Sequence, residues 1–135
     1  MADTLSAKAR DLIARPVLAA LATLNPDGSP QITPLWIDRD GDDVVFNTAE
    51  GRVKARNLHH DARVAVSVID PDDPYNVVVV RGTVEGSEEG ADAHIDSLAK
   101  KYLGVDSYPM RREGEVRVKY RVHADKVVMQ SSDEA

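Results

Sequence analysis

Short runs of apolar and β-branched residues, separated by polar turns, recur along this 135-residue chain. Six of these runs have the length and composition of β-strands. They cover residues 17–24, 30–37, 43–48, 62–69, 75–85 and 116–123. The last run alternates apolar residues with Arg117, Lys119, Arg121 and His123, as a strand with one buried and one charged outer face does. The pattern therefore predicts six strands.

Turn-forming residues separate these strands. The turn Asn25–Gly28 lies between the first two runs and predicts a hairpin, and an acidic turn at 38–42 precedes the third run. Two prolines and three aspartates at 70–74 interrupt the chain before the fifth run. Connections this short favour strands that pair with their neighbours in antiparallel fashion.

Three segments have the spacing of helices. A short helix is predicted over residues 4–14, with Thr4 or Ser6 as its N-cap. A second short helix is predicted over 51–60, between the third and fourth strands. The longest is predicted over 88–103, where apolar residues recur every three to four positions.

These elements predict a mainly β (α+β) fold, namely a six-stranded antiparallel barrel with short flanking helices. Alternating strands of this length need closure or a second layer to bury their inner faces. The chain has the length of one domain, 1–135, with its core at about 8–128 and a frayed tail at 131–135. The βαβ alternation and glycine-rich loops of common nucleotide-binding folds are missing from the sequence.

Composition excludes several kinds of function. A formal net charge of -6 argues against a nucleic-acid partner, which requires a broad excess of lysine and arginine. The chain contains no cysteine, so it has no disulfide or thiolate chemistry. No apolar run approaches the roughly 20 residues needed to cross a bilayer. We expect a cytoplasmic protein without a membrane span.

The segment 46–58 is the most informative stretch for function. It runs from a strand into a helix start and carries Arg52, Lys54 and Arg56 within five residues. Free amides in the first turn of a helix attract anions, and these three side chains would add full charges suited to a phosphate group. Thr48 could add a hydroxyl. The turn therefore indicates an anion site.

Two other readings of the cationic turn stay open. The three cations can be simply the solvated face of a short helix, as runs of charge usually are. If the helix begins at Gly51, residues 52 and 56 share one face and residue 54 lies on the opposite side. In that case Arg52 and Lys54 do not both point inward.

No side-chain cluster predicts catalysis by the protein itself. The four histidines, at positions 59, 60, 94 and 123, lack the spacing of a metal site and are expected to be solvated or capping residues. No serine lies in a nucleophile motif, and the paired acids lie in turns. We therefore predict no metal and no catalytic side chain, and expect any redox chemistry to come from a cofactor.

The order of these segments resembles the pyridoxamine 5'-phosphate oxidase-like split β-barrel superfamily. Within it, the chain is most similar to the F420-dependent flavin/deazaflavin oxidoreductases of the B group of actinobacteria. The resemblance covers about residues 8–128. The segments that carry it are Gly28–Trp36, Val44–Thr48, Arg52–Leu58, Ala62–Val66 and Ala91–Gly104.

The resemblance implies a homodimer with two cofactor clefts at the interface, each built from both chains. In such a cleft Thr48, Arg52, Lys54 and Asn57 would surround the cofactor phosphate, and Tyr75 would cover the ring from the partner chain. The strand 33–36 would lie along the ring. The implied cofactor-binding residues are Thr33, Pro34, Leu35, Trp36, Asn47, Thr48, Arg52, Lys54, Asn57 and Tyr75.

Coenzyme F420 is favoured over FMN by two departures from the flavin-using vitamin B6 oxidases. Those relatives carry Ser-Arg-Lys where this chain has residues 52–54, and a glutamine where it has Val77. The resemblance thus implies hydride transfer from reduced F420 to a conjugated small-molecule acceptor such as a quinone, an enone or a tetrapyrrole. The alternatives are an FMN-dependent oxidase or reductase of the same fold, and a non-catalytic carrier of deazaflavin or haem.

Overall fold

One antiparallel β-sheet runs through the whole fold. The computed structural model describes residues 3–131 and contains, in that range, seven strands and three helices. In chain order the elements are α1 (Ala7–Ala14), β1 (Ala19–Leu24), β2 (Pro30–Leu35), β3 (Ile37–Asp40), β4 (Asp43–Ala49), α2 (Val53–His60), β5 (Arg63–Ile69), β6 (Val77–Ser87), α3 (Ala91–Leu103) and β7 (Arg117–Gln130). The strand order is β2-β1-β5-β6-β7-β4-β3.

This strand order forces the sheet to curl into a split barrel. The strands β2 and β3 lie at opposite edges of the sheet, yet only Trp36 separates them in the chain. In a flat sheet, six strand spacings would place these edges roughly 29 Å apart. The chain from Leu35 to Ile37 spans about 7 Å at most. The two edges must therefore meet at Trp36.

The predicted number of six strands is wrong, because residues 30–37 form parts of two strands. The strand is interrupted at Trp36. The next strand, β3, continues to Asp40 and so enters the segment 38–42 that the sequence predicts to be a turn. Two side chains of α3 bind the backbone where β3 begins. The Ile37 N–H donates to Tyr102 Oη (3.1 Å), and Lys101 Nζ donates to the Ile37 carbonyl (2.7 Å). These contacts give the N–H and the carbonyl of Ile37 partners at the break.

The inner face of the barrel forms the hydrophobic core. Phe46 of β4 and Tyr120 of β7 lie opposite each other and stack, with ring centroids 5.2 Å apart and planes inclined by 16°. Leu12 and Ile13 of α1 join this core, and Ser6 caps α1 by accepting from the Ala9 N–H (3.2 Å). Because side chains alternate along a strand, the neighbours of these core residues on β4 and β7 face outward, and α3 packs against both strands.

Both remaining helices begin later than the sequence pattern predicts. The helix α2 begins at Val53, after Arg52, whose backbone is extended (φ -74°, ψ 154°). The helix α3 begins at Ala91, because Gly90 precedes it in a left-handed conformation (φ 73°). The first of these shifts matters for the site, since it removes Arg52 from the helix.

The last strand is longer than predicted. It runs to Gln130 because β6 pairs with it as far as Val77↔Gln130. Ser131, expected in a frayed tail, is buried. The rest of that predicted tail, 132–135, lies outside the described residues. Within residues 3–131, no helix combines the length and the apolar character that crossing a membrane requires.

We expect Gly82→Ala to destabilise the fold strongly. The β6–β7 register shifts at this glycine, leaving Asp125 as the extra residue of a bulge, and a Cβ on residue 82 would lie 2.0 Å from the His123 carbonyl oxygen. Overpacking costs roughly 1–3 kcal/mol where neighbouring side chains can move aside. Here the new methyl group would meet backbone atoms, so the free energy of unfolding should fall by about 3 kcal/mol. Urea denaturation measures this. Thr83→Ala, at the exposed next position, is the control, and equal losses in both variants would contradict the assignment.

Candidate functional site

A cleft of about 260 Å³ opens on the outer side of the barrel, between α3, the start of α2 and the bend at Trp36. Seven of the ten residues predicted to bind a cofactor line it, namely Pro34, Leu35, Trp36, Asn47, Thr48, Arg52 and Lys54. Six further residues line it that the sequence analysis did not select, namely Leu18, Ile95, Leu98, Tyr108, Met110 and Arg117. The cleft thus draws on six separate segments of the chain.

Two of the side chains that line the cleft, Arg52 and Lys54, come from the start of α2 and are cationic. Arg52 and Lys54 both line it, since the extended backbone of Arg52 frees that side chain from the helical geometry that would have separated them. No side chain among residues 3–131 caps α2, so its first-turn N–H groups lack a side-chain acceptor. Burial lowers the pKa of Lys54, and the charges of Arg52 and Arg117 lower it further. The charges of Arg52 and Lys54 repel each other here, and an anion would relieve that repulsion.

Trp36 and Tyr108 form an aromatic wall of the cleft. Trp36 stacks on Tyr102 with ring centroids 5.4 Å apart and planes inclined by 14°. Its other neighbour is Tyr108, which meets it edge-on at 6.0 Å. Tyr108 lies in the connection after α3, and Asp96 holds that connection by accepting from the Tyr108 N–H (2.8 Å). Such a wall suits a planar ligand.

Arg117 contacts both the aromatic wall, through Tyr108, and the buried polar side chains Glu115 and Asn47. Its guanidinium lies 4.6 Å from the centre of the Tyr108 ring, and the residue is only 4% exposed. Nε donates to the Glu115 carboxylate, and Nη1 donates weakly to Asn47 Oδ1 (3.4 Å). Nη2 is buried and finds no hydrogen-bond partner in the described part of the chain. The guanidinium therefore keeps a donor unused.

Asn47 connects this arginine to the half-buried His94. The Asn47 amide nitrogen donates to the Ala91 carbonyl (2.9 Å) and to His94 Nδ1 (3.2 Å). His94 Nδ1 is then an acceptor, so the neutral ring carries its proton on Nε2. Burial, assisted by the charge of Lys119, lowers the pKa of His94 to about 4. The expectation of a solvated or capping histidine is wrong for this residue.

Three predicted cofactor residues do not line the cleft. Asn57 is buried, and its amide donates to Thr23 Oγ1 (3.0 Å) and Asn25 Oδ1 (3.0 Å), which anchors α2 to the first hairpin. Tyr75 is 63% exposed in the β5–β6 connection. Thr33 lies on the edge strand β2. The structure places them outside the cavity of their own chain.

Comparison with known proteins identifies related sequences and folds. The family model described as pyridoxamine 5'-phosphate oxidase matches residues 5–130. A solved structure named F420 reductase is 35% identical, with a TM-score of 0.80, over 88% of this chain and 94% of its own. No curated protein sequence matches the chain significantly.

More distant structures share the fold. A conserved hypothetical protein of Mycobacterium tuberculosis is 24% identical, with a TM-score of 0.77, over 96% of this chain and 86% of its own. An FAD-binding protein of Mesorhizobium loti is 21% identical, with a TM-score of 0.68, over 94% and 95% of the two chains. At these identities the likeness extends to the fold alone.

We expect the half-buried His94 to make the protein sensitive to acid. As the pH falls from about 6.5 to about 4, the unfolded chain protonates this imidazole and the folded chain does not, so the free energy of unfolding declines across that range. His94→Asn keeps an acceptor for Asn47 and cannot titrate, so its stability should fall less steeply.

Urea denaturation at a series of pH values across that range measures the difference in slope. His60→Asn, which replaces an exposed histidine, is the control and should follow the wild type. Parallel curves for wild type and His94→Asn would show that the imidazole does not contribute.

Proposed function

The chain belongs to the pyridoxamine 5'-phosphate oxidase family, and we propose that it is a cytoplasmic oxidoreductase that uses coenzyme F420 to reduce a conjugated small-molecule acceptor. The observation that carries this proposal is the composition of one cleft, which is lined by the cations Arg52 and Lys54 and by the aromatic side chains Trp36 and Tyr108. A phosphate-bearing tricyclic cofactor has the matching chemistry at its two ends. The relative named F420 reductase supports the choice of cofactor.

The start of α2 would hold the cofactor phosphate. Arg52 and Lys54 supply charge there, and the uncapped first-turn amides supply hydrogen-bond donors. Thr48 lines the same cleft, and its buried hydroxyl oxygen has no partner among the described residues. Asn57 contributes indirectly, because its hydrogen bonds to Thr23 and Asn25 set the position of the helix.

The bend at Trp36 would hold the ring. Pro34, Leu35 and Trp36 follow one another along the cleft, and β2 is an edge strand, so one of its sides keeps backbone groups that no neighbouring strand pairs. Ile95 and Leu98 of α3 add apolar surface opposite. This combination of apolar walls and backbone donors is typical of cofactor sites.

The protein would contribute binding and orientation rather than acid–base chemistry. Among the described residues that line the cleft, the only titratable side chains are arginine, lysine and tyrosine. When bound, the deazaflavin supplies hydride chemistry. Acceptors of this chemistry are quinones, enones and tetrapyrroles, and the open cleft admits water as a proton source.

We further propose that the protein is a homodimer whose partner completes the cleft. A volume of about 260 Å³ falls short of the roughly 300–1,000 Å³ of typical ligand pockets. Apolar side chains at its mouth are exposed, with Leu18 at 60% and Met110 at 52%. Tyr75, outside the cleft of its own chain, would be free to cover the ring bound by the partner.

Lys54→Ala should weaken F420 binding about 10- to 100-fold, because a charge-assisted hydrogen bond contributes roughly 1.5–3 kcal/mol. Titrations that follow cofactor fluorescence measure the dissociation constants for F420 and FMN. The wild type should prefer F420. Arg56→Ala removes an exposed cation from the same helix and serves as the matched control, with little expected change.

The same titrations can contradict the proposal. A preference for FMN would indicate an FMN-dependent oxidase or reductase. Binding of F420 without acceptor-dependent oxidation of the reduced cofactor would indicate a non-catalytic carrier. Equal effects of Lys54→Ala and Arg56→Ala would remove the phosphate assignment.

Sedimentation should give twice the chain mass of 14.7 kDa. Leu18→Asp introduces a charge at the mouth of the cleft and should shift the protein toward monomer while weakening F420 binding. Leu103→Asp replaces another exposed leucine that does not line the cleft and is the control. A wild-type monomer that binds F420 fully would refute the shared cleft.

A further inference from the structure

The unused donor of Arg117 points to a specific contact with a ligand. Arg117 lines the cleft, is nearly fully buried, and its Nη2 has no partner among residues 3–131. Leaving such a donor unpaired costs free energy in a protein interior. We propose that Arg117 donates from Nη2 to a carbonyl oxygen conjugated to a planar ring bound in the cleft.

The charges around Arg117 favour a neutral carbonyl over a phosphate. Glu115, whose side chain is 7% exposed, neutralises the guanidinium through its contact with Nε. The buried pair therefore offers a hydrogen-bond donor without net charge, whereas a phosphate brings up to two charges that would need compensation. The exposed Arg52 and the half-buried Lys54 provide that compensation elsewhere in the cleft.

The surroundings of Arg117 hold its donors in place. The Tyr108 ring packs against the guanidinium, and Asn47 Oδ1 accepts a hydrogen bond from Nη1. Asn47 is itself held in place, because its amide nitrogen donates to the Ala91 carbonyl and to His94 Nδ1. An arginine held on three sides loses little freedom when a ligand binds. Because Tyr108 also contacts Trp36, this donor lies beside the aromatic wall, where a planar ring would rest.

A conjugated ring carbonyl can come from the cofactor or from the acceptor. Both sources share the chemistry that Arg117 would recognise, and the choice of probes rests on the proposed function. F420 represents the first source, menadione the second, and inorganic phosphate represents an anion without a ring. Binding of menadione and phosphate can be followed through Trp36, the one tryptophan of the chain, which lines the cleft.

The test uses two variants of the full-length protein and a control. The double variant Glu115→Gln with Arg117→Gln removes the donor without leaving a buried carboxylate unpaired, and Arg117→Lys keeps the charge beside Glu115 but loses the forked geometry. Arg121→Gln is the matched control, since Arg121 lies on the same strand, pairs with Asp40 and Asp43, and does not line the cleft. Circular dichroism confirms folding before any titration.

We expect the dissociation constant for F420 or for menadione to rise about tenfold in both Arg117 variants, with phosphate affinity and the Arg121→Gln control within about twofold of the wild type. A rise for F420 assigns the carbonyl to the cofactor, and a rise for menadione alone assigns it to the acceptor. Unchanged affinity for both rings, or a loss confined to phosphate, would overturn the inference. A wild type that binds menadione but neither F420 nor FMN would refute the proposed function, while the menadione titration would still decide the role of Arg117.

Discussion

The single-residue connection at Trp36 is the constraint on which the rest of the structure depends. It joins the two edges of a seven-stranded sheet, so the sheet has no flat alternative. The backbone can leave the sheet there because Lys101 and Tyr102 bind Ile37, although both come from a helix more than sixty residues later. The closure of the sheet at Trp36 therefore depends on the packing of α3 against this connection.

Closure also explains where the cleft lies. Because Phe46 and Tyr120 face the core, the alternate positions Asn47 and Arg117 on the same strands face outward. The helix α3 contacts Asn47, and Tyr108 in the connection after α3 packs on Arg117. Polar side chains under a helix need partners, and the contacts from Glu115 through Arg117 and Asn47 to His94 meet most of that need. The donor that remains on Arg117 is at the cleft, where a ligand can reach it.

The cations and the buried arginine of the cleft differ in how they would recognise a ligand. Arg52 and Lys54, at the start of α2, are partly solvated, so their attraction for an anion is long-ranged and weakened by salt. Arg117 is buried and paired with Glu115, so its effect is local and depends on geometry. A cofactor with a charged tail and a planar ring would use both groups. The cations would attract its tail, and Arg117 would align its ring.

Much of the fold and part of the site could be predicted from local sequence. Turn residues and period-two alternation predicted most strands, and the resemblance together with the cationic turn pointed to Arg52 and Lys54, because these signals depend on neighbours in the chain. The break at Trp36 could not be predicted in this way, since it depends on Lys101 and Tyr102.

Arg117 was missed for a related reason. Alternation indicates that a residue faces outward, but not whether water or a helix covers that face. The sequence by itself determined the order of the elements and the chemistry of the turn before α2, which are local properties. Only the tertiary structure decided which outward-facing residues are buried and which of them line one cleft. It also decided that Asn57 supports α2 from outside that cleft. These properties depend on contacts between segments that are distant in the chain.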